Sequence, residues 1–157
     1  MRSKTILGQL LLVSTLLFAA GCSEREPTPP STDTLRSALE EPILNQLSYR
    51  GFNFPREAVR MQAMDVIVTS FNAAEGVELV GTTGSFIVEL TADGGDIQLM
   101  IMGDGGDLTK LMAAQPFVRA GGNLLRKGQQ IQYSFQADLV KTPEGEWRIA
   151  RGQTQAR

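Results

Sequence analysis

Few residues of this chain have side chains that could do chemistry near neutral pH. Its 157 residues include one cysteine, Cys22, and no histidine. Histidine is the commonest metal ligand and the side chain that titrates nearest neutrality. Its absence excludes Ser-His-Asp and Cys-His catalytic sites and histidine-based zinc or iron sites. Folding could still bring two carboxylates together for acid–base work, but no spacing favours a pair, and we predict no catalytic residue and no enzyme.

Two Asp-Gly-Gly-Asp segments, at residues 93–96 and 104–107, form the most conspicuous polar motif. Paired acids in glycine loops could offer oxygen ligands to Ca²⁺, which binds about six to eight of them. Neither copy has the spacing of an EF-hand or a β-helix calcium site. We interpret the first as a hairpin turn and the second as a turn whose Asp107 caps a helix. We therefore predict no metal and no cofactor.

The N-terminus combines a short basic end with an apolar run. Arg2 and Lys4 precede a predominantly apolar stretch over residues 6–20. This charge and length pattern is typical of a secretory signal, and the run is shorter than the roughly 20 apolar residues that span a bilayer. The segment Ala19-Ala20-Gly21-Cys22 follows directly.

This Ala-Ala-Gly-Cys segment resembles the processing site of bacterial lipoproteins. The resemblance implies that a signal of residues 1–21 is removed and that Cys22 is acylated, which would anchor the chain to a membrane. Residue 23 is Ser and not the Asp that tends to retain lipoproteins in the inner membrane. The resemblance therefore implies the outer membrane, with the domain in the periplasm. The alternative is an ordinary signal peptide followed by one free thiol, which is unusual in an exported protein.

The chain after the signal divides into two parts. Residues 22–33 contain three of the seven prolines and no large apolar side chain. Such a stretch has nothing to bury, and it predicts a disordered tether. Residues 34–157 are long enough for one domain with a single core.

The domain begins with a helical pattern. Its apolar residues recur every four positions, at Leu35, Leu39, Ile43 and Leu47. Ser37 and Glu40 have capping-box spacing, and Pro42, inside this pattern, predicts either a kink or a restarted helix. Residues 56–64 are ambiguous and could form a short helix.

The central segment is interpreted as a meander of short strands. We predict strands at residues 65–71, 77–80, 85–91 and 97–102. Asp107 would then start a helix that is stopped by Pro116 and that points Leu108, Leu111 and Met112 inward. We expect the methionines of this segment to fill the core; they are Met100, Met102 and Met112.

The strongest pattern lies in the closing hairpin. A strict alternation of apolar and polar residues predicts a strand with one buried face, formed by Ile131, Tyr133, Phe135, Ala137 and Leu139. Residues 142–145, Thr-Pro-Glu-Gly, predict a type I turn. Trp147 and Ile149 should return on the inner face, with the indole buried.

The stretch over residues 138–149 resembles the closing hairpin of NTF2-like and cystatin-like domains, where a Gly-x-Trp-x-Ile strand ends the sheet. The resemblance implies an α+β fold in which an N-terminal helix packs on a curved antiparallel sheet. The alternative fold is a β-sandwich.

Charge is distributed unevenly along the mature chain. Residues 23–118 hold 6 bases and 14 acids, whereas residues 119–157 hold 7 bases and 3 acids. One interpretation is that basic C-terminal strands pair with acidic strands across one sheet. The other is a basic face for an anionic lipid, glycan or peptide, formed by Arg119, Arg126, Lys127, Arg148 and Arg151.

These features together predict a non-enzymatic lipoprotein of the cell envelope, attached to the membrane through Cys22. Its domain would bind an envelope protein or a cell-surface polymer, and we expect no nucleic-acid partner. The competing hypothesis is a domain with a pocket that binds or converts a small apolar molecule. A cavity with inward acids or tyrosines would favour the pocket, and a filled core with an outer patch would favour the binding domain.

Overall fold

The structure of the chain is a computed structural model that describes residues 27–103 and 108–157. The predicted signal, Cys22 and the second Asp-Gly-Gly-Asp segment lie outside the described residues. Helices and strands follow one another in the order α1 (Thr32–Asn45), β1 (Ser48–Tyr49), β2 (Phe52–Asn53), β3 (Val59–Ala74), β4 (Val77–Leu90), α2 (Gly94–Met102), α3 (Leu108–Arg119), β5 (Gln130–Lys141) and β6 (Trp147–Ala156). Single 3₁₀ turns precede β3 and follow α3.

Strands β3 to β6 form one antiparallel sheet in chain order. Helix α1 contacts both of its edge strands, β3 and β6. The outer strands of a four-stranded sheet lie about 14 Å apart, so α1 covers the whole width of the sheet. The predicted α+β fold, a helix on a curved antiparallel sheet, is confirmed. The β-sandwich alternative is wrong, since the other described sheet is only the two-stranded hairpin β1–β2.

The buried face of the sheet is the one that alternation predicted. All five apolar residues of β5 from Ile131 to Leu139 are buried. Tyr133 lies opposite Phe86 of β4, and their rings stack with centroids 5.1 Å apart. Phe86, Val88 and Leu90 of β4 are also buried on this face, as expected. The turn at residues 142–145 is confirmed, with the Gly145 N–H donating to the Thr142 carbonyl at 2.9 Å.

Helix α1 buries the predicted stripe, but its start differs from expectation. Leu35, Leu39 and Ile43 are buried. The N-cap is Ser31, whose hydroxyl accepts from the Thr34 N–H at 3.2 Å. The Ser37 hydroxyl instead donates to the Asp33 carbonyl within the helix, so the predicted capping box is wrong. Residues 32–33, which were expected in the tether, belong to the helix.

The path of α1 past its proline is also settled. The helix continues through Pro42 to Asn45 and is not restarted there. Arg36 and Arg56 join this helix to β3 and to the turn that precedes β3. The Arg36 guanidinium donates to the Met64 carbonyl of β3 at 3.1 Å. Arg56 makes a two-pronged contact with Glu41, at 3.0 and 2.8 Å.

Residues 97–102, predicted as a strand, form helix α2. The proposed strand face would have buried Leu99 beside Ile97, but Ile97 is fully buried and Leu99 is 64% exposed. Gly94 begins the helix where the chain passes against residues 122–123. A Cβ at Gly94 would lie 2.2 Å from the Gly122 carbonyl oxygen, so the absence of a side chain permits this close approach.

Helix α3 also differs from its prediction. It passes through Pro116 to Arg119 and buries Ala114 and Phe117. Phe117 packs edge-on against Phe52, with ring centroids 4.7 Å apart. Leu108, Leu111 and Met112, which were expected to point inward, are exposed, as is Met100. The core-filling role predicted for Met100 and Met112 is therefore wrong.

Several strands are longer than their sequence patterns suggested. Strand β3 includes residues 59–64 as well as the strand predicted at residues 65–71, and one strand, β4, replaces the two predicted at residues 77–80 and 85–91.

Trp147 of β6 is half-buried and not buried as predicted. It lies opposite Lys141, whose ammonium is 6.0 Å from the indole centroid. Lys141 in turn pairs with Glu78 at 2.8 Å, so this end of the inner face is polar.

The N-cap yields the first testable prediction. Replacing Ser31 by Ala should lower the free energy of unfolding by about 1 kcal/mol, because the Thr34 N–H loses its acceptor. Urea denaturation would measure the change. Ser37→Ala is the matched control and should cause almost no loss, because the Asp33 carbonyl keeps its helical partner. Equal effects of the two substitutions would contradict this assignment of the cap.

Candidate interaction surfaces

The residues of the predicted basic face lie in two separate places. Arg148 and Arg151 are on β6, opposite Val140 and Asp138 of β5. Arg119 ends α3, and Arg126 and Lys127 precede β5 at its other end. Val140 is ten residues along the strand from Gln130, about 33 Å at the usual rise. The five residues therefore do not form one continuous face.

The basic residues of the C-terminal strands are paired with acids. Arg151 lies 3.4 Å from Asp138, and Arg148 lies 3.1 Å from Glu146. The contacts of Lys141 with Glu78 and of Arg151 with Asp138 both join neighbouring strands. They agree with the interpretation that basic and acidic strands pair across one sheet. All are exposed at least in part, and such pairs contribute on the order of 0–1 kcal/mol.

An open groove runs between helix α1 and strand β6. It has a volume of about 180 Å³. Pro42 and Gln46 form its helix side, and Phe135, Ala137 and Ile149 lie on its sheet side. A second recess extends it along β6 past Ala38 to Trp147. We call this combined feature the helix–strand groove.

Two local features of β6 open the groove. Asp138 pairs with Arg151 and Leu139 with Ile149, so Ala150 is an extra residue and forms a bulge. The next inward position is Gly152, which leaves the groove without a side chain there. A Cβ at Gly152 would meet Ile149 at 3.4 Å and Ala137 at 3.6 Å, which are ordinary contact distances. Larger side chains at this position would therefore fill the groove without straining the strand.

The groove can bind another molecule through apolar contacts and hydrogen bonds. Its central part is lined by apolar residues with Gln46, Gln136, Gln153 and Thr154, none of which titrates. Strand β6 pairs only with β5 among the described residues. Its outer edge therefore presents backbone N–H and C=O groups beside the groove.

The groove was not predicted from the sequence, although two signals point to it. Ala38, Pro42 and Gln46 recur every four residues beside the apolar stripe of α1. The alternation of Trp147 and Ile149 ends at Arg151, and Gly152 follows it. Neither pattern identifies a groove until the helix is seen beside the strand.

A second exposed surface belongs to the α2–α3 hairpin and the 3₁₀ turn that follows it. Large apolar side chains stand in solvent there, and we call them the α2–α3 apolar surface: Leu99, Met100, Leu108, Leu111, Met112, Val118 and Leu124. Isolated exposed apolar residues are ordinary, but a group of this size on one substructure is typical of an interaction site.

The first Asp-Gly-Gly-Asp segment has a structural role. Asp93 precedes α2, and its carboxylate accepts from the Lys127 N–H at 2.9 Å. Within residues 27–103 and 108–157, no three His, Cys, Asp or Glu side chains are grouped as a metal site would require. The described part of the chain also contains no helix of the length and hydropathy needed to cross a bilayer.

The titratable groups with shifted pKa values lie outside the groove. Burial raises the pKa of Tyr133, whose hydroxyl has no hydrogen-bond partner among the described residues. The Arg56 hydrogen bond lowers the pKa of Glu41, and the Thr142 hydroxyl lowers that of Glu144. Glu41 and Glu144 are at the surface. Tyr133 is an inward tyrosine, but it is stacked in a filled core and does not line a cavity.

Comparison with protein-family models, with curated proteins and with solved structures finds no match for this chain. The relation to NTF2-like and cystatin-like domains stays a prediction, based on the closing hairpin.

Tyr133 gives a prediction about alkaline pH. An exposed tyrosine ionises near pH 10, whereas the buried Tyr133 stays protonated because its pKa is raised. Above about pH 10 the unfolded chain therefore binds fewer protons than the folded one, and the free energy of unfolding falls as pH rises. Tyr133→Phe should reduce this fall between about pH 9 and pH 11. Urea denaturation at each pH measures the free energy of unfolding. Tyr49→Phe is the control and should leave the fall with pH as it is in the wild type.

At neutral pH the same Tyr133→Phe variant should be as stable as the wild type or more stable, because it removes a buried hydroxyl without a partner. A loss of more than about 1 kcal/mol would show that this hydroxyl is hydrogen-bonded in solution.

Proposed function

We propose that this chain is a lipid-anchored protein of the cell envelope whose domain binds a protein partner and performs no catalysis. The anchor is proposed from the Ala-Ala-Gly-Cys22 segment, and Ser23 supports a site in the outer membrane facing the periplasm. An acyl chain contributes about 0.8 kcal/mol per buried CH₂, so two or more chains on one residue hold a protein stably.

The observation that carries the binding role is the helix–strand groove beside the free edge of β6. An extended peptide can add to an exposed strand through backbone hydrogen bonds, while a neighbouring groove accepts its alternate side chains. Here the groove has an apolar floor, from Phe135, Ala137 and Ile149, and amide groups at its margins. This arrangement favours an extended protein segment over a cell-surface polymer.

The competing hypothesis, a pocket for a small apolar molecule, has less support. The inner face of the sheet is filled by aromatic residues, with the ring of Phe86 in contact with the rings of Tyr133 and Phe135. The groove is open along its length and its central lining includes no acid or tyrosine.

The lipid anchor is tested at Cys22. In the Cys22→Ser chain the acyl mass should disappear from the purified protein and processing before residue 22 should stop, as seen by mass spectrometry. Unchanged processing with the acyl mass still present would refute the anchor.

The binding role is tested by filling the groove. With a photo-crosslinking residue at Gln46, we expect a crosslinked protein partner in the intact envelope. Gly152→Leu should abolish that product, because its side chain occupies the groove. Gln155→Leu is the matched control on the same strand and should leave it unchanged. Persistence of the product in Gly152→Leu, or a crosslink to polysaccharide instead, would contradict the proposal.

A further inference from the structure

The segment over residues 108–129 carries positive charge and contains no Asp or Glu. Residues 108–129 contain four bases, and the nearest acids in the sequence are Asp107 and Asp138. Arg119, Arg126 and Lys127 are exposed, and within the described parts of the chain they take part in no ion pair. In this they differ from Arg148 and Arg151, whose charges are partly balanced by acids.

Apolar side chains stand in solvent beside these bases. On α3 the exposed apolar residues are Leu108, Leu111, Met112 and Val118. Leu111 and Val118 lie three and four residues from the buried Ala114, so the exposed apolar side of the helix adjoins its buried side. Leu124, in the turn between Arg119 and Arg126, is 70% exposed. A helix that shows apolar and basic side chains together to solvent is typical of binding at a membrane interface.

The proposed anchor places a bilayer within reach of this surface. Eight residues lie between Cys22 and the N-cap Ser31, and the nine Cα-to-Cα steps extend at most about 32 Å. Helix α1 adds about 21 Å from its start to its end, and the hairpin β1–β2 after it contacts α3 through Phe52 and Phe117. A chain held at Cys22 could therefore lie with α1 along the membrane and the α2–α3 hairpin against it.

We propose that the α2–α3 apolar surface, with Arg119, Arg126 and Lys127, lies on the surface of a membrane that contains anionic lipids. The occupant is a lipid surface because the patch joins aliphatic and thioether side chains with unpaired positive charge, and because the anchor concentrates the domain there. The inference rests on the proposed function for its membrane, but the contact itself is made by the folded domain. The groove beside β6 remains available to a partner.

The test uses the unlipidated chain that begins at Ser23, which keeps the complete core because all the described buried residues follow Ser31. It should sediment with vesicles of phosphatidylcholine mixed with phosphatidylglycerol and not with pure phosphatidylcholine. Each basic residue replaced by Gln among Arg119, Arg126 and Lys127 should lower the partition coefficient about fivefold. Leu111→Ser with Met112→Ser should also weaken binding, since both side chains are exposed and their loss spares the core.

Matched controls separate this surface from general effects. Arg148→Gln with Arg151→Gln removes two bases that are also exposed, and Ile67→Ser removes an apolar side chain that is 60% exposed on the sheet. These variants should bind as the wild type does. Equal binding to neutral vesicles, equal losses in the controls, or a stable dimer formed through α3 would each overturn the inference. If the chain does not sediment with anionic vesicles but Cys22 is acylated, the membrane contact of the domain is refuted and the anchor stands. If Cys22 carries no acyl group, the anchor is refuted.

Discussion

The fold depends on burying one face of a long curved sheet beneath a helix that is too short to cover it. Helix α1 has 14 residues and a length of about 21 Å. Strand β5 has 12 residues and β3 has 16, so they are about 40 and 53 Å long. The rest of the apolar face must be covered by other elements, or else end in polar residues.

Both solutions are present. At one end, Phe52 and Phe54 of the short hairpin and Ile97 and Phe117 of the α2–α3 hairpin extend the core beyond α1. At the other end, the inner face changes from apolar residues to the contact between Lys141 and Glu78, next to a half-buried Trp147. The helix–strand groove lies between these ends, where a bulge and Gly152 leave space beside α1.

The two candidate surfaces follow from this geometry. The α2–α3 hairpin can bury only one side of each short helix, and its other side keeps apolar residues in solvent. Among the described residues β6 pairs only with β5, so the backbone groups of its outer edge take part in no strand pairing, although β1 lies near this strand. The proposed anchor and membrane contact would hold the hairpin on the bilayer and leave that edge accessible.

Residue spacing alone determined the elements whose pattern allows one period. The alternation from Ile131 to Leu139 fits only a strand with one buried face, and the four-residue repeat from Leu35 fits only a helix. The predicted lipid anchor at Cys22 likewise rests on the sequence alone. Residues 97–102 are different, because Ile97, Leu99 and Ile101 alternate while Ile97 and Ile101 are also one helical turn apart. Only the tertiary structure decided between a strand and a helix for this segment, because β4 pairs with β3 on one side and β5 on the other and has no free side for the residues that follow it. The tertiary structure also showed that the five bases of the predicted basic face lie apart. The register of the sheet places Arg148 and Arg151, and the position of the α2–α3 hairpin places the other three.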